Sequence, residues 1–498
     1  MHTPEWVKHA VFYQIFPDRF ARSAQIEKPG NLEPWDTPPT LMGYKGGDLF
    51  GVIERLDYLE HLGITAIYFT PIFQSAANHR YHTHDYYQVD PLLGGNRALY
   101  ALLDAAHRRN IKIVLDGVFN HTSRGFFYFN DILENGPYSP WLDWFIIEGW
   151  PLSPYDGSKP AHYLAWAGNR ALPCLNTDHH QVREYLMRVA EHWLRVGIDG
   201  WRLDVPFEIT SPGFWQEFRW RVKSINPEAY IVGEIWGDAR PWLQGDQFDG
   251  VMNYLFAAAT IAFTAGERVV PDLVAGRSYA PRPALSAEEY ADTIDWLLQL
   301  YPWEIQLTQF NLLDSHDTAR LISIANGDAA SVQLATLLLL AFPGAPAIYY
   351  GDEIGLPGAQ DPDCRRTFPW DRPDTWNHET HAYHTRLIAL RHTYPALRTG
   401  SFHRLYATDG VYVFARRQDE QVLIILVNSA QSFRSIVVPL GSVAPASGTA
   451  LDLQIVYGEG TAVARHEHGS FGLPPRTGMI VLVGTALSGA HDHAMAAL

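Results

Sequence analysis

Four short runs in the sequence gather the polar side chains that could do chemistry: Asp116-Gly117-Val118-Phe119-Asn120-His121, Gly200-Trp201-Arg202-Leu203-Asp204, Gly233-Glu234-Ile235-Trp236 and Asp314-Ser315-His316-Asp317. Each closes an apolar or β-branched stretch. Arg202 and Asp204 stand two apart, so on a strand their side chains share a face, and the guanidinium is expected to hold the carboxylate ionised at a lowered pKa. That suits a nucleophile, although a structural ion pair has the same spacing. Glu234 follows the apolar Tyr230-Ile231-Val232, where partial desolvation raises a carboxyl's pKa and keeps it protonated, as a general acid requires. Asp317, beside His316, adds a third carboxylate that can stabilise developing positive charge or cap a loop. Glycoside hydrolysis uses such a set, with an acid for the leaving oxygen and a carboxylate facing an oxocarbenium-like centre.

Bringing four distant runs together requires a repeating framework. Short β-branched and aromatic stretches at 11–16, 64–69, 111–118, 200–205, 230–236, 251–254, 310–315 and 347–350 read as strands. Between them, residues 49–62, 98–109, 182–196, 214–225 and 332–342 carry apolar residues three and four apart, the period of a helix. Ser286-Ala287-Glu288-Glu289 reads as a capping box ahead of a further helix over 290–300. Such alternation implies parallel strands with right-handed crossovers, and eight of them predict an α/β fold of the (β/α)8 TIM-barrel type, with the active site at the C-terminal strand ends. An open doubly wound sheet is the alternative.

The expected organisation is a catalytic barrel over 1–120 and 178–394, an inserted subdomain over 121–177, a C-terminal antiparallel β-sandwich over 395–485 and a flexible tail over 486–498 that includes His491 and His493. The insert is marked by twelve aromatics within residues 126–166. Trp141, Trp144 and Trp166 are its candidates for ligand stacking, and a small aromatic core is the other reading. In the last domain, alternating patterns predict strands at 411–415, 422–427, 435–439 and 479–483.

Composition narrows the partners. The 498 residues carry 38 Lys and Arg against 54 Asp and Glu, a net charge of −16 that repels phosphate backbones and anionic lipid. Neither nucleic acid nor membrane is expected. The most apolar window, 334–348, is interrupted by Pro343, Gly344 and Pro346 and reads as a helix followed by a strand. Cys174 and Cys364, the only two cysteines, form neither a disulfide framework nor a zinc pattern. With no signal peptide in the given sequence, the expected location is cytoplasmic.

From residue 10 to about residue 483 the chain resembles the α-amylase family of retaining glycoside hydrolases, its four polar runs matching the family's strand-end motifs in order. The resemblance implies Asp204 as nucleophile, Glu234 as acid/base and Asp317 as transition-state stabiliser. It implies substrate binding by Tyr81, Asp116, His121, Arg202, His316, Asp361 and Arg365, with Arg202 also orienting Asp204 and Tyr81 stacking beneath the sugar at the cleaved bond. Leu172-Pro173-Cys174-Leu175-Asn176 and Val205-Pro206-Phe207-Glu208 are similar to signatures of the neopullulanase, cyclomaltodextrinase and maltogenic amylase group. Phe207 departs from that group's pattern, and its N-terminal β domain is expected to be lacking, since the first barrel strand is placed near Val11.

The resemblance implies hydrolysis of α-1,4 and possibly α-1,6 bonds in maltooligosaccharides, cyclodextrins or related glucans, with transglycosylation as a second outcome. No cofactor is expected for the chemistry. Asn120 matches a calcium ligand of many α-amylases, but Ala21-Arg22-Ser23-Ala24 stands where close relatives carry a calcium loop. The rival functions are an α-glucoside isomerase or transferase of the trehalose-forming type and a noncatalytic glucan-binding protein.

Overall fold

The barrel strands are short and apolar because each is covered on both faces, by the barrel interior on one side and by helices on the other. In the computed structural model, which describes residues 2–275, 284–443 and 451–485, they are β1 (Phe12–Ile15), β2 (Ala66–Phe69), β3 (Lys112–Gly117), β4 (Gly200–Leu203), β5 (Tyr230–Gly233), β6 (Gly250–Val251), β7 (Phe310–Asn311) and β8 (Ala345–Tyr349). All pair in parallel, in the order β6-β5-β4-β3-β2-β1-β8-β7. A bridge between Met252 and Phe310 joins the two ends of that order and closes the cylinder.

Side-chain alternation along β1 turns Phe12 and Gln14 into the barrel and Tyr13 outward. Phe12 meets Tyr230 and Phe310 at ring-centroid distances of 5.8 and 5.1 Å, an aromatic lower layer. One layer higher, Gln14, Tyr68, Asp116 and Arg202 replace it with a polar floor. The expected helices form, with the Ser286 capping box complete ahead of Ala287–Leu300. The single helix expected over 49–62 is instead two, α1 (Leu49–Ile53) and α2 (Leu56–Leu62), broken where Arg55 leaves helical geometry at φ −110°, ψ 3°. Two further strands, Phe73–Ser75 and Thr83–Val89, pair as an antiparallel hairpin after β2.

The aromatics of the insert divide between a core and a cleft wall. Tyr128 stacks on Trp141 at 3.8 Å and meets Trp144 edge-on at 4.4 Å, so these two tryptophans are packing. Trp166 lines the cleft instead.

Beyond the barrel, eight strands pair antiparallel in two sheets: β9 (Ser401–Thr408), β10 (Val411–Gln418), β11 (Gln421–Asn428), β12 (Arg434–Pro439), β13 (Leu451–Tyr457), β14 (Thr461–Arg465), β15 (His468–Leu473) and β16 (Thr477–Thr485). The orders are β9-β10-β11-β16-β13 and β12-β15-β14. One face of β10 and β11 (Val413, Ile424) packs between the sheets, and the other (Phe414, Ile425) joins the barrel core. The helix α3 (Ala329–Ala341), which fills much of the apolar window, is therefore buried nearly all round. Gly478 lets β16 lie against it, since a Cβ there would collide with Leu337. Residues 486–498, expected as a tail, lie outside the described residues. Among those described, no helix is long and apolar enough to cross a membrane.

Two buried arginines tie this seam through backbone carbonyls, without a carboxylate hydrogen bond among the described residues. Arg391 Nη1 donates to the carbonyls of Leu340 and Leu397 at 2.8 and 2.9 Å. Arg416 donates to those of Ala341 and Gly400 at 2.6 and 2.9 Å. Both sit where the C-terminal end of α3 presents unpaired carbonyls and partial negative charge. Replacing Arg416 by Met keeps the length and removes the donors, so it should lower stability by about 2–4 kcal/mol. Thermal unfolding would show this as a lower melting temperature.

Candidate active site

The polar floor belongs to adjacent strands. Asp116 on β3 and Arg202 on β4 are register partners, and Arg202 Nη1 donates to both Asp116 oxygens at 3.0 Å. The same nitrogen donates to Asp204 Oδ1 at 3.0 Å. Nη2 lies 2.9 Å from Glu234 Oε2, a charge contact without the alignment of a hydrogen bond. One guanidinium, 1% exposed, thus touches three carboxyl groups.

Asp204 and Glu234 follow the last residues of β4 and β5, and their backbone N–H groups continue the ladder to Gly117 and Leu203 at 3.1 and 3.0 Å. Immediately after Asp204 the chain turns sharply. Val205 sits in the left-handed region at φ 36°, ψ 50°, a strained place for a β-branched residue. The turn directs the Val205 N–H onto Glu234 Oε2 at 3.1 Å and delivers Phe207, 39% exposed, to the cleft.

Asp116 also accepts hydrogen bonds from Tyr68 at 2.6 Å and Tyr81 at 2.9 Å. Tyr81 lies 2.6 Å from His316 Nε2, and the two rings are nearly parallel with centroids 5.6 Å apart. Asp317 Oδ2 is 3.1 Å from the same nitrogen, while Arg365 lies 3.6 Å from Asp317 and 3.0 Å from Asp361. His121 stacks on Trp166 at 5.1 Å, and its Nε2 has no hydrogen-bond partner among the described residues.

A cleft of about 560 Å³ opens above this floor, walled by Tyr81, His121, Trp166, Phe207, Trp236 and the Asp361–Arg365 pair, with Asp204, Glu234 and Asp317 at its base. Every residue singled out for catalysis or substrate binding converges here. Asp116, Arg202 and His316 differ in depth from the rest, lying fully buried beneath the wall, where they hold other side chains in place. From the Leu172–Asn176 run, Leu172 reaches the wall, whereas Asn176 ties the insert by donating to the Asp143 carbonyl at 2.9 Å. His79, His82 and Asn169, which sequence reasoning did not single out, also line the cleft. Asn120 is buried beside His121, and among the described residues no group of three or more His, Cys, Asp or Glu side chains converges to hold a metal.

The electrostatics correct one expectation. Arg202 was expected to lower the Asp204 pKa, but burial outweighs that attraction and the Asp204 carboxyl is pushed well above the usual range. Burial also raises Asp116. Glu234 is pushed up to about 7, by burial first, against the pull of Arg202 and with the help of the Asp317 charge. One cation cannot neutralise three desolvated carboxylates, so the cluster retains a proton near neutrality. Arg202 donates aligned hydrogen bonds to Asp116 and Asp204 but makes only a charge contact with Glu234, which favours that proton on Glu234.

A closed (β/α)8 barrel whose C-terminal mouth gathers three carboxyl groups in a sugar-sized cleft defines a barrel glycosidase. Residues 14–393 match the α-amylase catalytic domain, and residues 402–475 match the neopullulanase-like C-terminal domain. The chain belongs to the α-amylase family of glycoside hydrolases. It is 44% identical over 442 residues to a cyclomaltodextrinase of Geobacillus thermopakistaniensis, a match covering 88% of this chain and 71% of that one. The debranching enzyme of Nostoc punctiforme superposes with a TM-score of 0.90 at 62% identity, covering 97% of this chain and 99% of that structure. The cyclic α-maltosyl-(1→6)-maltose hydrolase of Arthrobacter globiformis gives 0.84 at 34% identity, covering 97% and 100%.

A carboxyl whose pKa is raised on folding stabilises the protein below its unfolded value, and that contribution is lost as pH rises through the folded value. For Glu234 the window runs from the ordinary carboxyl range up to about 7. Glu234→Gln removes the titration, so its melting temperature should exceed that of wild type by more at pH 8 than at pH 5. The difference in stability gain between the two conditions should be about 2–3 kcal/mol, as read by scanning calorimetry at each pH.

Proposed function

We propose that this chain hydrolyses α-1,4 and α-1,6 bonds in maltooligosaccharides, cyclic maltodextrins and related glucans by double displacement with retention. The observation that carries the reading is the shared Arg202, which touches Glu234 and a hydrogen-bonded Asp204 at the base of one cleft. Glu234 gives its proton to the glycosidic oxygen as that bond breaks, and Asp204 forms an ester with the anomeric carbon. The first product leaves. Glu234, now a carboxylate, takes a proton from water, whose oxygen attacks the same carbon and releases Asp204. A sugar hydroxyl in place of the water gives transglycosylation.

Asp317 stands where a fixed negative charge stabilises the oxocarbenium-like centre, and Arg365 with Asp361 supplies polar contacts to the neighbouring sugar. His121, whose ring lines the cleft, is suited to a sugar hydroxyl. Phe207, Trp166 and Trp236 present apolar faces on which pyranose rings stack. Protons and electron pairs balance among these groups and water, so the reaction draws on no cofactor. The names of the similar proteins, which include debranching and cyclic-glucan hydrolysis, support both the α-1,6 and the cyclic parts of the reading. Two buried free thiols, Cys174 and Cys364, suit a reducing cytoplasm.

The test is product-resolved digestion of maltotriose, a cyclodextrin, pullulan and soluble starch, with NMR of the newly formed anomeric proton. The α anomer should appear first. Asp204→Asn and Glu234→Gln should each lower kcat at least about 100-fold with the fold intact; near-wild-type turnover in either overturns the assignment. Because the acid must be protonated, kcat/KM should fall on the alkaline side with an apparent pKa of about 7, and a profile flat through that region would contradict the role of Glu234.

A further inference from the structure

His316 is fully buried, and the groups around its ring decide which nitrogen carries the proton. Nε2 faces the Tyr81 hydroxyl at 2.6 Å and Asp317 Oδ2 at 3.1 Å. Nδ1 faces the side-chain amide nitrogen of Gln14 at 2.7 Å. The other charged and titratable groups acting on the ring are Arg365, whose Nε donates to the His316 carbonyl at 2.9 Å, and at longer range Arg202 and His79. Burial and the two cations push the ring down to about 3, so it is neutral and carries one N–H.

A carboxylate oxygen only accepts, so the Asp317 charge 3.1 Å away favours the hydrogen on Nε2. Nδ1 then presents a bare lone pair in a dry interior and needs a donor, which the Gln14 amide provides. With Nε2–H committed, the Tyr81 oxygen accepts from it and passes its own O–H to Asp116 Oδ2 at 2.9 Å. The opposite tautomer would set two lone pairs against each other at Asp317 and take the Tyr81 hydrogen away from Asp116.

We propose that Gln14 is a positioning residue that fixes His316 as the Nε2–H tautomer and so gives one direction to the hydrogen bonds running through Tyr81 to Asp116 and Arg202. Its place in the fold fits this task. Gln14 is 2% exposed on β1, above the Phe12, Tyr230 and Phe310 rings, where a polar amide costs free energy unless it is paired. The chain of hydrogen bonds then ends on an Asp116 oxygen, and the movable proton of the floor is left to Glu234. The kinetic consequence rests on the glycosidase reading above; the tautomer does not.

The test uses Gln14→Met, which keeps length without a donor, and Gln14→Glu, which keeps shape but only accepts. Nitrogen-15 NMR of histidine-labelled protein reports the tautomer, with the His316 signals assigned by their loss in His316→Gln. Wild type should show a bare Nδ1 and a protonated Nε2, Gln14→Met a mixture of tautomers, and Gln14→Glu a protonated Nδ1. At neutral pH both variants should lose about 10-fold or more in kcat/KM, the size of one hydrogen bond to a charged network. For Gln14→Glu the loss should shrink toward acid pH, because the introduced carboxylate favours an imidazolium that can donate from both nitrogens. Gln14→Met has no such recovery, which a merely structural defect would not separate. A proton on Nδ1 in wild type overturns the proposal, as does an unchanged tautomer in both variants or kcat/KM within about twofold of wild type across the pH range. If wild type hydrolyses none of the glucans, the function proposed above falls while the NMR still decides the tautomer. If Gln14→Glu does not fold, wild type and Gln14→Met decide it.

Discussion

A single buried guanidinium shared by three carboxyl groups governs this molecule. Arg202 can reach Asp116, Asp204 and Glu234 together because β3, β4 and β5 are neighbouring parallel strands, about 4.8 Å apart, that end at the same level. Remove the cation and the barrel mouth would hold carboxylates in a dry interior with only neutral hydrogen-bond donors to offset their desolvation. Keep it, and one cation still faces three carboxylates, two positive charges short of balance, which is why a proton stays. Chemistry at this site depends on that deficit: a fully neutralised cluster would leave no carboxyl protonated at neutral pH. The Tyr68 ring, with its centroid 5.9 Å from the guanidinium carbon, closes the underside.

The barrel was legible in the sequence because strands covered on both faces appear as unbroken apolar runs, while the intervening helices keep a polar side. The eight runs and the Ser286 cap needed no tertiary information. The break between α1 and α2 was not legible, since the apolar spacing continues through Arg55 while the backbone turns. The strands β9, β13, β14 and β15 are unmarked for a related reason: β9 and β14 hold no buried residue and β15 carries glycines, so no run of core residues marks them.

At the site, the residue identities were readable and their protonation was not. Asp204, Glu234 and Asp317 sit at the ends of apolar runs, which is a local signal. That Asp204 is pushed up rather than down depends on how many carboxyls share Arg202, a property of three strands at once. Gln14 is harder still, because one amide in the middle of an apolar strand gives no periodic cue. Trp141, Trp144 and Trp166 look alike in composition, yet packing sends two inward and one to the cleft.

A helix with no wet side has a further consequence. Because α3 is pressed between the barrel and the five-stranded sheet, the two regions cannot melt, be clipped or be inherited separately without leaving an oily surface in water. The chain should therefore behave as one cooperative body despite its two architectures, and the loops at the barrel's mouth are where length and sequence can change without disturbing that shared helix.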